Sequence, residues 1–254
     1  MQIVEYDFPA EWPCLYIIPI SDTHIGDPRF NEAKLLGYID WIMARENAYV
    51  VLNGDILDAA IKGSVGDTYE ATMTTNEALK YARRLFAPLK ERILAVTEGN
   101  HERRITKDTS VSPMDILSDF LDVPFHADGV FLKLRVGKGS NGKKQVYTLY
   151  GTHGHGGGRM IGGKANNLGR MSEIVLADVY TMGHIHTALT YQDMIYVPDL
   201  RNGNIMEHRR TYVSSGSFLG WGGYSQRQGY SPGRLGSARI RFEGRGGKDV
   251  HVSI

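Results

Sequence analysis

Five short polar clusters punctuate this chain, and before the first three an apolar run gives way abruptly to Asp, Asn or His. The clusters are Asp22-Thr23-His24, Gly54-Asp55 with Asp58, Gly99-Asn100-His101-Glu102, His153-Gly154-His155 and Gly183-His184-Ile185-His186. The runs Leu15–Ile20, Ala48–Leu52 and Arg92–Thr97 have strand length and lead straight into the first three clusters. Between them, Asn31–Glu46 places Leu35, Leu36, Ile39, Ile42 and Met43 at helical spacing, with Asn31 suited to an N-cap. Thr75–Glu91 does the same with Leu79, Ala82, Leu85, Phe86 and Leu89, and Pro88 ends or kinks that helix. A repeated strand–loop–helix pattern predicts an α/β sheet with polar groups at the carboxyl ends of its strands, where such sheets bind ligands.

The second half has a different texture. Val130–Val136 and Gln145–Tyr150 predict a hairpin across GKGSNGKK. The Gly-rich stretch GTHGHGGGRMIGG follows, with seven Gly in thirteen residues. Lys164–Leu176 predicts a helix and Asp178–Met182 a strand, with shorter strands over Tyr191–Val197, Thr211–Val213, Ala238–Phe242 and Val250–Ile254. No repeat of fixed period and no low-complexity linker interrupts the chain. The expectation is one domain over residues 1–254, with two facing sheets and helices outside. Its part from about residue 187 would complete the second sheet and carry a basic loop rich in Gly and aromatics.

Composition narrows the function classes. The 254 residues are 42% hydrophobic and 22% charged, enough for a sizeable core. A net charge of +1 excludes a strongly basic, histone-like nucleic-acid protein. Charge is nonetheless uneven: residues 201–254 hold nine Lys/Arg against three Asp/Glu, whereas residues 1–200 hold 20 against 25. The single cysteine, Cys14, excludes an intrachain disulfide and a cysteine-held zinc. The first twenty residues contain no Lys or Arg, unlike a signal peptide. No apolar run approaches the ~18 residues of a membrane span. A cytoplasmic protein with no membrane partner is expected, its oligomeric state left open.

Each cluster alone has an ordinary reading as a turn, a helix cap or surface histidines. Together they offer only carboxylate, carboxamide and imidazole donors, which suit divalent Mn, Fe, Zn, Ni or Co. His184 and His186 are spaced to project from one side of an extended segment. Gly flanks four of the five clusters and lets the backbone turn sharply beside a bound ion.

In order and content, the five motifs from Asp22 to His186 resemble the calcineurin-like metallophosphoesterase superfamily. The resemblance implies a four-layer α/β/β/α sandwich with two divalent metal ions, manganese first among the candidates, between the strand ends. It assigns Asp22, His24 and His186 to one ion, Asn100, His153 and His184 to the other, and Asp55 to both. It makes His101 a general acid facing the substrate, with Asp58 orienting it, and implies attack by a metal-bound hydroxide. Two ions supply +4, which Asp22, Asp55 and a hydroxide would reduce to about +1, leaving a site that attracts a phosphate oxyanion. His101, with an ordinary pKa of ~6.5, is suited to protonating a leaving oxygen.

The substrate is less legible. Protein Ser/Thr phosphatases of the superfamily carry Arg directly after the second Asp of motif two, where this chain has Ala59. His155 and Arg159 are candidate substrate contacts, as is Lys164, or else solvated loop residues. The stretch GSFLGWGGYSQRQGYSPGRLGSARIRF combines Trp221, Tyr224 and Tyr230 with Arg227 and Arg234, types that stack on bases and pair with phosphates. The leading expectation is a phosphodiesterase for a nucleotide or nucleic acid. The alternatives are a phosphomonoesterase for a small metabolite or nucleic-acid end, and a metal-binding interaction module without turnover.

Overall fold

The computed structural model describes residues 2–62, 64, 69–227 and 229–254, apart from the Tyr224 side chain. Its first sheet is built on β2 (Cys14–Ile20), β3 (Ala48–Asn53) and β4 (Ile93–Thr97), all parallel. Two C-terminal strands, β10 (Arg239–Glu243) and β11 (Val250–Ser253), extend it antiparallel in the order β11-β10-β2-β3-β4.

The second sheet contains β1 (Ile3–Asp7), β5 (Val130–Val136), β6 (Gln145–Thr152), β7 (Val179–Met182), β8 (Leu189–Asp199) and β9 (Asn204–Ser214), in the order β1-β5-β6-β7-β9-β8. Residues 187–254 thus contribute strands to both sheets. The β5–β6 hairpin falls where alternation and turn residues placed it. The β1 strand, by contrast, escaped prediction. It pairs parallel with β5 at the sheet edge, and no residue of it is fully buried.

Three apolar clusters define the layers. On β2, Ile18 and Ile20 face outward with Val50 and Leu52 of β3, and meet Leu35, Ile39 and Ile42 of α1 (Glu32–Met43) and Leu79, Ala82 and Phe86 of α2 (Thr75–Phe86). One residue out of phase, Leu15 and Ile17 point into the gap between the sheets, against Leu132, Leu149 and Val213. On the far face of the second sheet, Tyr180 and Tyr212 pack with Leu168 of α5 (Ile161–Gly169). Burying each Val, Leu, Ile or Phe side chain among these contributes about 1.5–3 kcal/mol. The result is the α/β/β/α sandwich expected from the motifs.

The helix ends follow local chemistry. Asn31 caps α1 by accepting the Lys34 N–H, and α1 stops at Met43, three residues before the expected end. Thr74 and Glu77 form a reciprocal capping box on α2. Pro88 lacks an N–H donor, and there α2 passes into a 3₁₀ turn, Ala87–Arg92. Two helices were not foreseen. The first, α3 (Asn100–Thr109), buries only Glu102 and so shows no apolar stripe, while α4 (Pro113–Leu121) is nine residues long. Among the described residues no helix is long and apolar enough to cross a membrane.

Candidate metal centre

All five motifs arrive at one rim because the strands that carry them end there. The motif-one loop runs beside the motif-two loop: Asp22 N–H donates to Gly54 O at 3.1 Å and His24 N–H to Asp55 O at 3.1 Å. The third motif is the first turn of α3, where the His101 N–H donates to Asp55 Oδ1 at 2.8 Å. Gly99 makes this approach feasible, since a Cβ there would lie 2.1 Å from Asp55 Oδ1. After β7, the His184 N–H reaches both carboxylate oxygens of Asp22, at 3.1 and 3.0 Å.

Five of the residues at this rim adopt left-handed backbone: Asp22 (φ 51°), His24 (49°), Asp55 (49°), His184 (64°) and His186 (49°). Such conformations cost on the order of 1–3 kcal/mol for non-glycine residues and cluster at functional sites. Here they turn successive side chains from the strand ends toward a common point.

The donors form two main groups. In one, His186 Nε2 lies 3.0 Å from Asp22 Oδ1 and 3.2 Å from His24 Nε2. In the other, His153 Nε2 lies 3.1 Å from Asp55 Oδ2 and 3.1 Å from Asn100 Oδ1, which is 2.8 Å from His184 Nδ1. The other nitrogen of His153 faces Asn53 O at 3.0 Å, which fixes the ring and leaves Nε2 directed inward. A third grouping joins His24 and His101 to Asp58.

These residues fit divalent cations. Asp22 and Asp55 are buried, and among the described residues only imidazoles, no Lys or Arg, pair with them. A buried carboxylate requires compensation. In the metal-free protein protons supply part of it. Burial opposes ionisation of Asp55, but the adjacent His153 and His101 hold it well below the usual carboxylate range. Burial likewise opposes charge on His153, yet Asp55 and Asp22 draw it up to about 10. His24 goes the other way, lowered by burial and by His101, and its Nδ1 has no hydrogen-bond partner. Neutral imidazole is the form that binds metal, and Nε2 is the nitrogen that His24 turns toward His186.

His101 sits at the rim, 22% exposed, with Nδ1 facing Asp58 O at 2.7 Å and the Asp58 carboxylate at 3.3 Å. Burial lowers its basicity, but Asp55 and Asp58 outweigh that and raise it. Asp58 is held low against burial by His101 and His24. Its main-chain oxygen, as well as its carboxylate, thus orients the histidine.

Some structurally important residues were not singled out from sequence. Glu102, fully buried, accepts the N–H groups of Asp55 (3.0 Å), Leu57 (2.8 Å) and Gly99 (3.1 Å) and so ties motif two to motif three. It stood in plain view within Gly-Asn-His-Glu, but its partners are distant in sequence. Burial and the Asp55 charge push it up to about 7. From the C-terminal part, Phe218 N–H and Ser217 Oγ both donate to Asp22 O at 3.0 Å.

A cavity of about 410 Å³ opens over the cluster. Its wall includes Arg29, Arg104, Lys164, Trp221, Tyr230 and Arg234. The C-terminal loop therefore faces the centre. His155 and Arg159 are exposed and do not line the cavity, which the intervening Gly156–Gly158 does. The Tyr224 side chain lies outside the described residues.

No family model and no curated protein matches the chain. Among solved structures it is similar to a conserved uncharacterized protein of Streptococcus pneumoniae described as a predicted phosphoesterase, at 17% identity and a TM-score of 0.39, over 91% of this chain and 84% of that one. It is similar to a double mutant of Vps29 from Entamoeba histolytica at 12% identity and a TM-score of 0.44, over 94% and 98%. A metallophosphoesterase from Sphaerobacter thermophilus is similar at 14% identity and a TM-score of 0.41, over 90% and 84%. In its two facing mixed sheets with outer helices, and in five motifs gathered at one rim, this chain resembles the calcineurin-like metallophosphoesterases.

Proposed function

We propose that this chain is a metal-dependent phosphoesterase with two divalent ions, manganese first among the candidates, and that it hydrolyses a phosphodiester of a nucleotide or nucleic acid. One observation carries the reading: nitrogen and oxygen donors from five strand-end loops converge on two buried aspartates that, among the described residues, have imidazoles and no Lys or Arg as ion-pair partners. Asp22, His24 and His186 would hold one ion, Asn100, His153 and His184 the other, and Asp55 both. When bound, the ions supply positive charge that polarises a phosphoryl oxygen and makes hydroxide available near neutral pH.

The chain's own groups do the rest. The Asp58 main-chain oxygen accepts from His101 Nδ1, so Nε2 is the atom that presents a proton. Against the opposing effect of burial, Asp55 and Asp58 favour the protonated form of His101, the form that can give a proton to a leaving oxygen. Glu102 holds the Asp55 and Gly99 backbones in register, which keeps His101 in step with Asp55.

The test is elemental analysis of the purified protein, followed by assays of bis-p-nitrophenyl phosphate and p-nitrophenyl phosphate with Mn²⁺. Two equivalents of metal and preferential diester turnover are expected. Preference for the monoester would replace the diester reading with a phosphomonoesterase. Bound metal without turnover of either ester would make the chain a binding module.

A further inference from the structure

The cavity holds a second set of side chains that donate nothing to a metal. Arg104 lies one helical turn beyond His101 on α3 and lines the same wall. Its Nη1 donates to Ser64 Oγ at 2.6 Å, and among the described residues no carboxylate pairs with it. Lys164 on α5 also lines the wall; its ammonium donates to Thr187 Oγ1 and likewise has no carboxylate partner among the described residues. Arg29 differs, because Asp27 takes its Nε and Nη2 at 3.0 and 2.8 Å and neutralises it. Arg104 and Lys164 thus line the cavity without a carboxylate partner among the described residues.

The same cavity is lined by Trp221, a large aromatic left 46% exposed. Its indole N–H donates to Tyr230 O at 2.7 Å, which fixes the ring edge and leaves the π-faces free of that bond. The chain that carries it is pinned to the metal centre. Phe218 N–H donates to Asp22 O, Asn31 N–H to Phe218 O at 2.9 Å, and Gly220 N–H to Arg29 O at 2.9 Å. Gly223 lies so close to the Arg29 guanidinium that a Cβ would fall 1.5 Å from Nη1. A tethered indole that shares a cavity with a phosphate-attracting centre suits a flat heterocycle joined to a phosphoryl group.

We infer that Trp221 is the stacking platform for a nucleobase and that Arg104 and Lys164 hold the non-bridging phosphate oxygens, so that the cavity selects a nucleoside phosphodiester. The inference rests on the phosphoesterase reading and adds the means of substrate choice. Base–aromatic stacking of roughly 1–3 kcal/mol corresponds to about 5- to 150-fold in affinity.

Two esters with the same leaving group test it in the Mn²⁺-loaded protein: p-nitrophenyl thymidine 5′-phosphate, which carries a base, and methyl p-nitrophenyl phosphate, which does not. W221A is expected to lower the kcat/KM ratio of the first ester to the second by about 5- to 150-fold, mainly through KM, and W221F to restore most of it. An unchanged ratio in W221A overturns the inference while leaving the phosphoesterase reading intact. If neither ester is turned over, the phosphoesterase reading fails and binding decides the platform. Thymidine 5′-monophosphate should quench the tryptophan fluorescence of the native protein far more than that of W221A, and equal quenching overturns the platform. Competition by thymidine 5′-monophosphate and by oligothymidylate distinguishes a free nucleotide from a strand end as the source of the base; competition by neither overturns the inference.

Discussion

The backbone N–H of His101 donates to Oδ1 of Asp55 at 2.8 Å, and Oδ2 of the same carboxylate lies 3.1 Å from His153 Nε2. One aspartate therefore sets both the position of the candidate acid and the charge of the donor cluster. Replacing it by Asn keeps the size but removes the charge. Asp55→Asn should lower metal content from two equivalents to one or none, read by elemental analysis of protein equilibrated with Mn²⁺. Its affinity loss should exceed the roughly 10–100-fold typical of outer partners. Two ions still bound at native affinity would contradict the shared role.

In the proposed reaction His101 holds no metal and gives up a proton to the leaving oxygen. His101→Ala should retain full metal content and lose on the order of 10²–10⁴ in kcat for the diester. A native rate in a metal-replete variant would remove His101 from the reaction.

Against the opposing effect of burial, Asp55 and Asp22 push His153 up to about 10 when no cation is bound, and binding a cation requires the neutral ring. Metal loading near pH 8 should therefore release protons, and apparent affinity should rise with pH toward that value. Calorimetry in two buffers of different ionisation enthalpy measures the number released. A value of zero would show that the ring is already neutral. For the apo fold the sign is the raised-pKa case. Protonated His153 contributes stability that is fully present below an unfolded pKa of ~6.5 and is lost as pH rises toward 10.

Glu102 offers a stability test separate from catalysis. Its carboxylate accepts three backbone N–H groups, whereas a glutamine would turn an NH₂ donor toward at least one of them. Glu102→Gln should cost about 1–3 kcal/mol, or roughly 2–12 °C in the Tm of the apo protein. An unchanged Tm would mean that the three bonds are dispensable. Because its pKa is raised to about 7, Glu102 favours the fold most below its unfolded value of ~4.5, and that contribution fades as pH rises through 7.

Much of the sheet framework was legible because its cause is local. Leu15, Ile17, Ile18 and Ile20 carry the alternation of a strand buried on both faces, and the α1 stripe carries the period of a helix. The strand ends mattered most, since each polar cluster begins where the apolar run stops. What escaped was set by partners far away in the chain. Glu102 reads as one more acidic residue until Asp55 and Leu57 stand beside it. Arg104 is one of several basic residues on α3 until the cavity selects it. The α3 helix itself shows no hydrophobic period because its one buried residue is that glutamate. His155 and Arg159 illustrate the converse: proximity in sequence to His153 placed them on the outer side of a glycine-rich turn.

The contact between Ser217 and Asp22 spans 195 residues. During synthesis the aspartate leaves the ribosome well before the strap that braces its carbonyl is made. A nascent polypeptide that stops short of Ser217 has every proposed ligand side chain and still lacks that brace. Bracing of the Asp22 loop therefore waits on synthesis of the segment that carries Ser217 and Phe218.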